Sequence, residues 1–279
     1  MDIQVLLSTA GILAVDPGLI GTATAVVGGT GLLIGLFLGF AAKKFEVEVD
    51  EKELKVRELL PGANCGGCGY AGCDACAKAI AEGNAKIDVC PVANQEAYNA
   101  IAEVMGTTGE VKDKEVAFVK CAGTCDKVKL NYIYYGIKDC KKASIVPGNA
   151  DKKCNYGCMG FGSCVKVCLF DAMHIVDGIA VVDKDKCTAC GMCRKECPNN
   201  LIDIIPYESG TQVSCNSRNK GKDVKEACSI GCIGCKLCEK QCEFDAIHVT
   251  DNLALIDYSK CTNCGKCAAA CPVKVIRIK

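Results

Sequence analysis

The first pattern in the chain is an absence of charge. From Gly18 to Ala42 (GLIGTATAVVGGTGLLIGLFLGFAA) no residue is charged. At about 1.5 Å per residue a helix of that length spans the roughly 30 Å hydrocarbon layer of a membrane, and the length favours this over a buried core helix. Gly29, Gly35 and Gly39 are small positions at which another helix can approach closely in a bilayer. Beyond Lys43 and Lys44, Glu46 to Leu60 mixes charges with apolar positions at helical spacing, predicting a solvated tether that runs into a helix. Asp74 to Gly83 predicts a second helix, stopped at Gly83-Asn84. Ala172 to Asp183 predicts a hairpin turning at Asp177-Gly178, and Ala246 to Asp257 one turning around Asp251-Asn252. The class is α+β.

Composition then sets the chemistry. The chain has 26 cysteines in 279 residues. Such density signals either a disulfide scaffold or metal-bound thiolates. Disulfides compensate for a core too small to fold, and this chain is not small. Met1 to Ala10 has no basic stretch of the kind that opens a cleavable signal peptide. Metal in a reducing compartment is therefore expected. The 33 basic and 33 acidic residues cancel, but residues 1–119 hold 9 basic against 16 acidic and residues 120–279 hold 24 against 17. The cysteine-dense half is thus the basic one, which suits an acidic partner or offsets the charge of thiolate clusters. Acids alone (Asp2, Asp16) precede the apolar stretch and Lys43-Lys44 follow it. The positive-inside rule then predicts a single-pass plasma-membrane protein, amino terminus outside and cysteines in the cytoplasm.

Spacing assigns the thiols. Cys65-x2-Cys68-x4-Cys73-x16-Cys90 has the ligand count of one 4Fe-4S cluster, with Gly66, Gly67 and Gly69 allowing a tight wrap. Four cysteines also suit zinc. Cys76, one helical turn past Cys73, reads as a small buried hydrophobe. Residues 164–198 and 238–272 repeat without a gap at an offset of 74. Cys187-x2-Cys190-x2-Cys193-x3-Cys197-Pro and Cys261-x2-Cys264-x2-Cys267-x3-Cys271-Pro are two-cluster ferredoxin runs, in which the fourth cysteine serves the other cluster. The expected sets are Cys232, Cys235, Cys238 with Cys271; Cys242, Cys261, Cys264, Cys267; and Cys187, Cys190, Cys193 with Cys168. In the remaining set Phe161 replaces the middle cysteine, so Cys158, Cys164 and Cys197 need a substitute. Cys154 is the nearest, the alternative being a three-iron site. This gives five clusters. A sixth stays open, since Cys121, Cys125 and Cys140 have the look of one but lack a fourth ligand, and Cys154 would serve there too. Cys215 and Cys228 precede the last unit much as Cys121 and Cys154 precede the central one, as remnant or structural residues. His174 and His248 occupy equivalent hairpin positions and are expected to be partly buried and structural.

Neither a Gly-x-Gly-x-x-Gly turn nor a phosphate-binding loop is found, so the chain is expected to move single electrons, not hydride. The anchor, the Ala-Asn-Cys65-Gly-Gly-Cys68-Gly-Tyr-Ala-Gly-Cys73 module, the Cys121/Cys125/Cys140 segment and Gly157-Cys158-Met-Gly-Phe161-Gly-Ser-Cys164 resemble RnfB, the iron–sulfur subunit of the Rnf ferredoxin:NAD+ oxidoreductase. The likeness covers nearly the whole chain, whose duplicated ferredoxin half exceeds the shorter RnfB forms. It implies a subunit of an ion-translocating oxidoreductase with no substrate-transforming site of its own. Electrons would come from reduced ferredoxin, which is expected to dock on the basic half; the run Arg218-Asn-Lys220-Gly-Lys222 is either part of that contact or, as the favoured reading, a solvated loop. They would pass to flavin- and iron–sulfur-bearing membrane subunits, with Na+ or H+ exported. Nucleic acid is not an expected partner. The domains expected are an anchor (1–44), a small helical 4Fe-4S domain (45–115), a first ferredoxin-like unit with the extra cysteine segment (116–206) and a second (207–279). The competing readings are a polyferredoxin of a hydrogenase or quinone reductase, and a zinc-binding assembly factor.

Overall fold

A computed structural model of the protein describes residues 17–45, 50–107, 113–148 and 150–278. The chain divides into two compact units, residues 1–50 and 51–279. In the first, α1 (Pro17–Lys44) is one unbroken helix, long and apolar enough to cross a membrane. Thr22 and Thr30 donate their hydroxyls to carbonyls of the preceding turn, Gly18 O at 3.0 Å and Val26 O at 2.8 Å. The helix thereby satisfies its own polar groups, as hydrocarbon surroundings require. Asp2 and Asp16, which carry the orientation argument, and tether residues 46–49 lie outside the described residues.

The second unit opens with α2 (Glu51–Leu59), α3 (Cys73–Ala81) and α4 (Gln95–Met105). Val56 on α2 is buried against Ala77 and Ile80 of α3 and Ile101 of α4, while the other α2 positions hold the charges. Gly83 takes φ +74°, the left-handed stop expected after α3. α4 has no counterpart among the elements expected from the sequence. It is fixed by Asn94, whose side chain accepts from Ala97 N–H at 2.9 Å, and by Gly106 at φ +67°.

Both expected hairpins are present: β2 (Met173–Val176) with β3 (Ile179–Val182), and β6 (Ile247–Thr250) with β7 (Leu253–Ile256). Two further antiparallel pairs join the ends of each ferredoxin-like segment. β1 (Glu115–Val119) pairs with β4 (Ile202–Pro206), and β5 (Thr211–Val213) with β8 (Ile276–Ile278). The repeat reaches the packing, because Met173, Ile179, Ala180, Leu201 and Ile202 in one core correspond at the same offset to Ile247, Leu253, Ala254, Val275 and Ile276 in the other. It also reaches backbone strain: Asp171 and Asp245 hold φ +49° and +52°, Asn200 and Lys274 +49° and +50°. His174 is exposed, while the His248 side chain is 48% exposed, which fits the expected partial burial. The short strands leave one hairpin face to solvent, and His248 lies there 3.3 Å from Asp245 Oδ1.

Between β1 and β2 the chain makes an excursion with its own small core of Ala143, Ala150 and Met159. It carries α5 (Cys140–Ala143) and leads to α6 (Ser163–Lys166). Tyr134 stacks on Phe161 with ring centroids 5.5 Å apart. Phe161 is thus the anchor of this excursion.

Candidate metal centres

All 26 cysteines are free thiols, and 24 of them gather into six sets of four. In the first, Cys73 and Cys90 are buried beside Cys68 at the foot of α3. Burial raises the Cys90 thiol, the Val92 and Ala93 N–H groups pull it back, and the nearness of Cys68 and Cys65 raises it further. Gly67 N–H donates to Cys65 Sγ at 3.5 Å. Cys76 is a fifth thiol here, 1% exposed, raised to about 12 by burial and then by Cys68. It fills the core beneath the set.

The second set is Cys168, Cys187, Cys190 and Cys193. Burial lifts Cys193 to about 12, with Cys187, Cys190 and Cys168 adding to it. Ala172 N–H donates to Cys168 Sγ and Ala117 N–H to Cys187 Sγ, each at 3.4 Å. This set abuts the first: a Cβ on Gly67 would stand 2.6 Å from the Cys190 carbonyl oxygen. Only glycine permits that approach.

The third set corrects an expectation. Cys140, not Cys154, joins Cys158, Cys164 and Cys197 around one cavity. Burial raises Cys164 to about 12, followed by the charges of Cys158, Cys140 and Cys197. The reason is mechanical. Phe161, standing where a cysteine belongs, packs on Tyr134, and Ser163 Oγ accepts from Cys140 N–H at 2.8 Å. The excursion is thereby folded back so that α5 delivers the missing thiol.

The fourth set is the one that spacing within either unit does not show. Cys121, Cys154, Cys215 and Cys228, with Cys158 of the third set at the edge, line a single cavity between the two ferredoxin-like segments. Burial raises Cys154, and Cys121 and Cys228 are close enough to raise it further. Cys158 N–H donates to Cys121 Sγ at 3.4 Å, and its repeat equivalent Cys232 N–H donates to Cys215 Sγ at 3.3 Å. The signal was in the sequence, since Cys154 and Cys228 stand at the repeat offset of 74. The expected grouping of Cys121, Cys125 and Cys140 is not found: they are divided among the fourth set, an exposed position and the third set.

The last two sets lie in the second ferredoxin-like segment. Burial raises Cys238 to about 11, with Cys232, Cys235 and Cys271 contributing. Cys242, Cys261, Cys264 and Cys267 line one cavity. Cys235 and Cys264 are the exposed members of the two sets.

The donor chemistry fits 4Fe-4S clusters: four thiols to a site, with backbone N–H groups aimed at the sulfurs. Among the described residues no three His, Cys, Asp or Glu side chains close on one metal ion. The thiols of the third, fourth and sixth sets line cavities.

Family models for an Fe-S cluster (residues 60–92), a 4Fe-4S binding domain (180–203) and a 4Fe-4S dicluster domain (231–275) match the chain. It is 45% identical over 252 residues (90% of the chain, 75% of the relative) to the B subunit of the Na(+)-translocating ferredoxin:NAD(+) oxidoreductase complex of Acetobacterium woodii. It is 44% identical over 256 residues (91% and 97%) to the B subunit of the ion-translocating oxidoreductase complex of Methanosarcina acetivorans. To the B subunit of the proton-translocating ferredoxin:NAD(+) oxidoreductase complex of Clostridium ljungdahlii it is 41% identical over 251 residues (88% of each).

Proposed function

The chain belongs to the RnfB family, the B subunits of Rnf-type ion-translocating oxidoreductase complexes, and from that membership we propose that it relays electrons along six 4Fe-4S clusters held by the six cysteine sets. The ligands would be Cys65, Cys68, Cys73 and Cys90; Cys168, Cys187, Cys190 and Cys193; Cys140, Cys158, Cys164 and Cys197; Cys121, Cys154, Cys215 and Cys228; Cys232, Cys235, Cys238 and Cys271; Cys242, Cys261, Cys264 and Cys267. When bound, each cluster supplies one-electron chemistry, and its potential is set by charge, sulfur hydrogen bonds and exposure.

The observation that carries this reading is that the sets form a line. Gly67 of the first lies on Cys190 of the second. Cys193 of the second is felt by Cys164 of the third. The N–H of Cys158 in the third bonds Cys121 of the fourth, and that of Cys232 in the fifth bonds Cys215 of the fourth. The fifth and sixth share the second hairpin's core. Electrons have a contact at every step, and the fourth set joins two ferredoxin-like units that would otherwise be separate wires.

Reduced ferredoxin is the proposed donor. The exposed thiols Cys235 and Cys264, beside the exposed Lys236 and Lys266, offer an acidic redox protein short access to the far end of the line. Arg218 of the basic run 218–222 is paired with Asp251 at 2.8 Å and Lys266 with Glu243 at 2.6 Å, so exposure of the two thiols is what places docking at this end. The Cys65 end, nearest in sequence to α1, would pass electrons to partner membrane subunits. Residues 1–44 would anchor the chain with the cluster-bearing body in the cytoplasm, and residues 45–115, 116–206 and 207–279 would be its three cluster-bearing domains. Anaerobically purified protein should contain about 24 Fe and as much acid-labile sulfide, four of each per cluster. Zinc without sulfide would end the reading.

A further inference from the structure

Lys152 is buried in the wall of the fourth cavity, 5% exposed. Its ammonium donates to the carbonyl oxygens of Gly178 at 2.7 Å and Gly123 at 3.2 Å. It has no carboxylate partner among the described residues. Lys120, which lines the same cavity, is paired with Asp203 at 2.8 Å, so its charge is already answered. A buried cation satisfied by dipoles alone is costly, and proteins keep one only where a counter-charge stands nearby. Here the nearby groups are thiols of two adjacent sets. Lys152 lines the fourth cavity together with Cys121, Cys154, Cys158, Cys215 and Cys228. The backbone on both sides of Lys152 is tied down, by Asn131 N–H to Asp151 O and Lys153 N–H to Lys129 O, each at 2.8 Å. These bonds fix the backbone from which the side chain reaches the two carbonyls.

We propose that Lys152 is a positioning residue for electrons: a fixed positive charge that raises the reduction potential of the cluster held by Cys121, Cys154, Cys215 and Cys228. This rests on the six-cluster reading above. A thiolate-bound cluster is anionic and becomes more so on taking an electron, so a neighbouring cation stabilises the reduced form. The site where the two ferredoxin-like units meet then takes an electron more readily than it would without the lysine charge.

The test is potentiometric EPR on the full-length, cluster-loaded protein, with Cys215→Ser identifying the component that belongs to this site. In Lys152→Met the ratio of reduced to oxidised cluster for that component, read at the wild-type midpoint, should fall at least tenfold, which is about 59 mV for one electron. Lys152→Arg, which keeps the charge, should stay within about threefold, and iron and sulfide should be unchanged in both. An unshifted midpoint in fully loaded Lys152→Met overturns the proposal. So does loss of that cluster's iron with the other components intact, because the lysine would then only hold the loops. If Cys215→Ser removes no component, the site carries no cluster and the six-cluster reading is what fails, taking this inference with it.

Discussion

Phe161 and Cys140 show how one residue can hide a ligand set. The substitution removes a thiol from the Cys-x2-Cys-x2-Cys run and supplies a ring, and the ring's stacking on Tyr134 seats the excursion that returns Cys140. Cys140→Ser should therefore cost the protein one cluster, about four Fe. Adding Phe161→Cys should restore the iron by completing the ferredoxin pattern, and iron and sulfide analysis reads both. A failed rescue would place the fourth ligand elsewhere. Gly67 is the other residue on which much depends. A methyl group there would meet the Cys190 carbonyl oxygen at 2.6 Å and Pro91 at 3.2 Å. Gly67→Ala should destabilise the module contact by about 1–3 kcal/mol, as overpacking does. It should also slow reduction of the Cys65 cluster through the rest of the chain; unaltered stability and rate would show that the two sets do not depend on this approach.

At the scale of elements, what could be read in advance was whatever is local. The two hairpins and α3 lie within short stretches whose periodicity and turn residues speak for themselves, and the crossed ferredoxin sets follow from tandem motifs. The β1–β4 and β5–β8 pairs were not legible. Their strands are three to five residues long and pair across a whole unit, so their partner is chosen by tertiary packing. The same is true of the Cys121 set, drawn half from each unit. α4 was missed although it has an Asn94 cap and a Gly106 stop. Its buried positions, Tyr98, Ile101 and Ala102, with Val104 and Met105 packed beside them, have helical spacing, so the cap, the stop and the apolar face were all present in the sequence. Asn94→Ala should accordingly lower the stability of the amino-terminal module by about 1 kcal/mol, with iron content unchanged, in thermal or urea unfolding. A drop in iron would mean that α4 shapes the cluster site directly.

For the whole molecule the proposed line has two ends and a middle, each with its own signature. At the far end, association of an acidic ferredoxin with the Lys236 and Lys266 face should slow steeply as ionic strength rises, because screening weakens attraction between exposed charges. A salt-independent rate of ferredoxin oxidation would remove docking by charge. At the middle, Cys215→Ser should leave the outer pairs loaded yet prevent electrons supplied at the Cys242 end from reaching the Cys65 end, seen as reduced and oxidised clusters persisting in one chain. The middle site also matters mechanically. Val128 and Cys228 form a β-bridge between the two units, Lys129 N–H donates to Ala227 O at 2.9 Å, and Lys153 pairs with Glu226. Metal bound by two thiols from each side would add a chelate to that seam, closing loops that span most of the cysteine-bearing chain. Such a site cannot be filled until Cys228 has been synthesised, after the last ligand of the first three sets, Cys197, and before Cys267 and Cys271 of the last two. In the proposed line it is also a clasp: oxidative loss of its iron would cut the current and, in the same event, leave the two halves joined by the bridge, the Lys129–Ala227 bond and the Lys153–Glu226 pair alone.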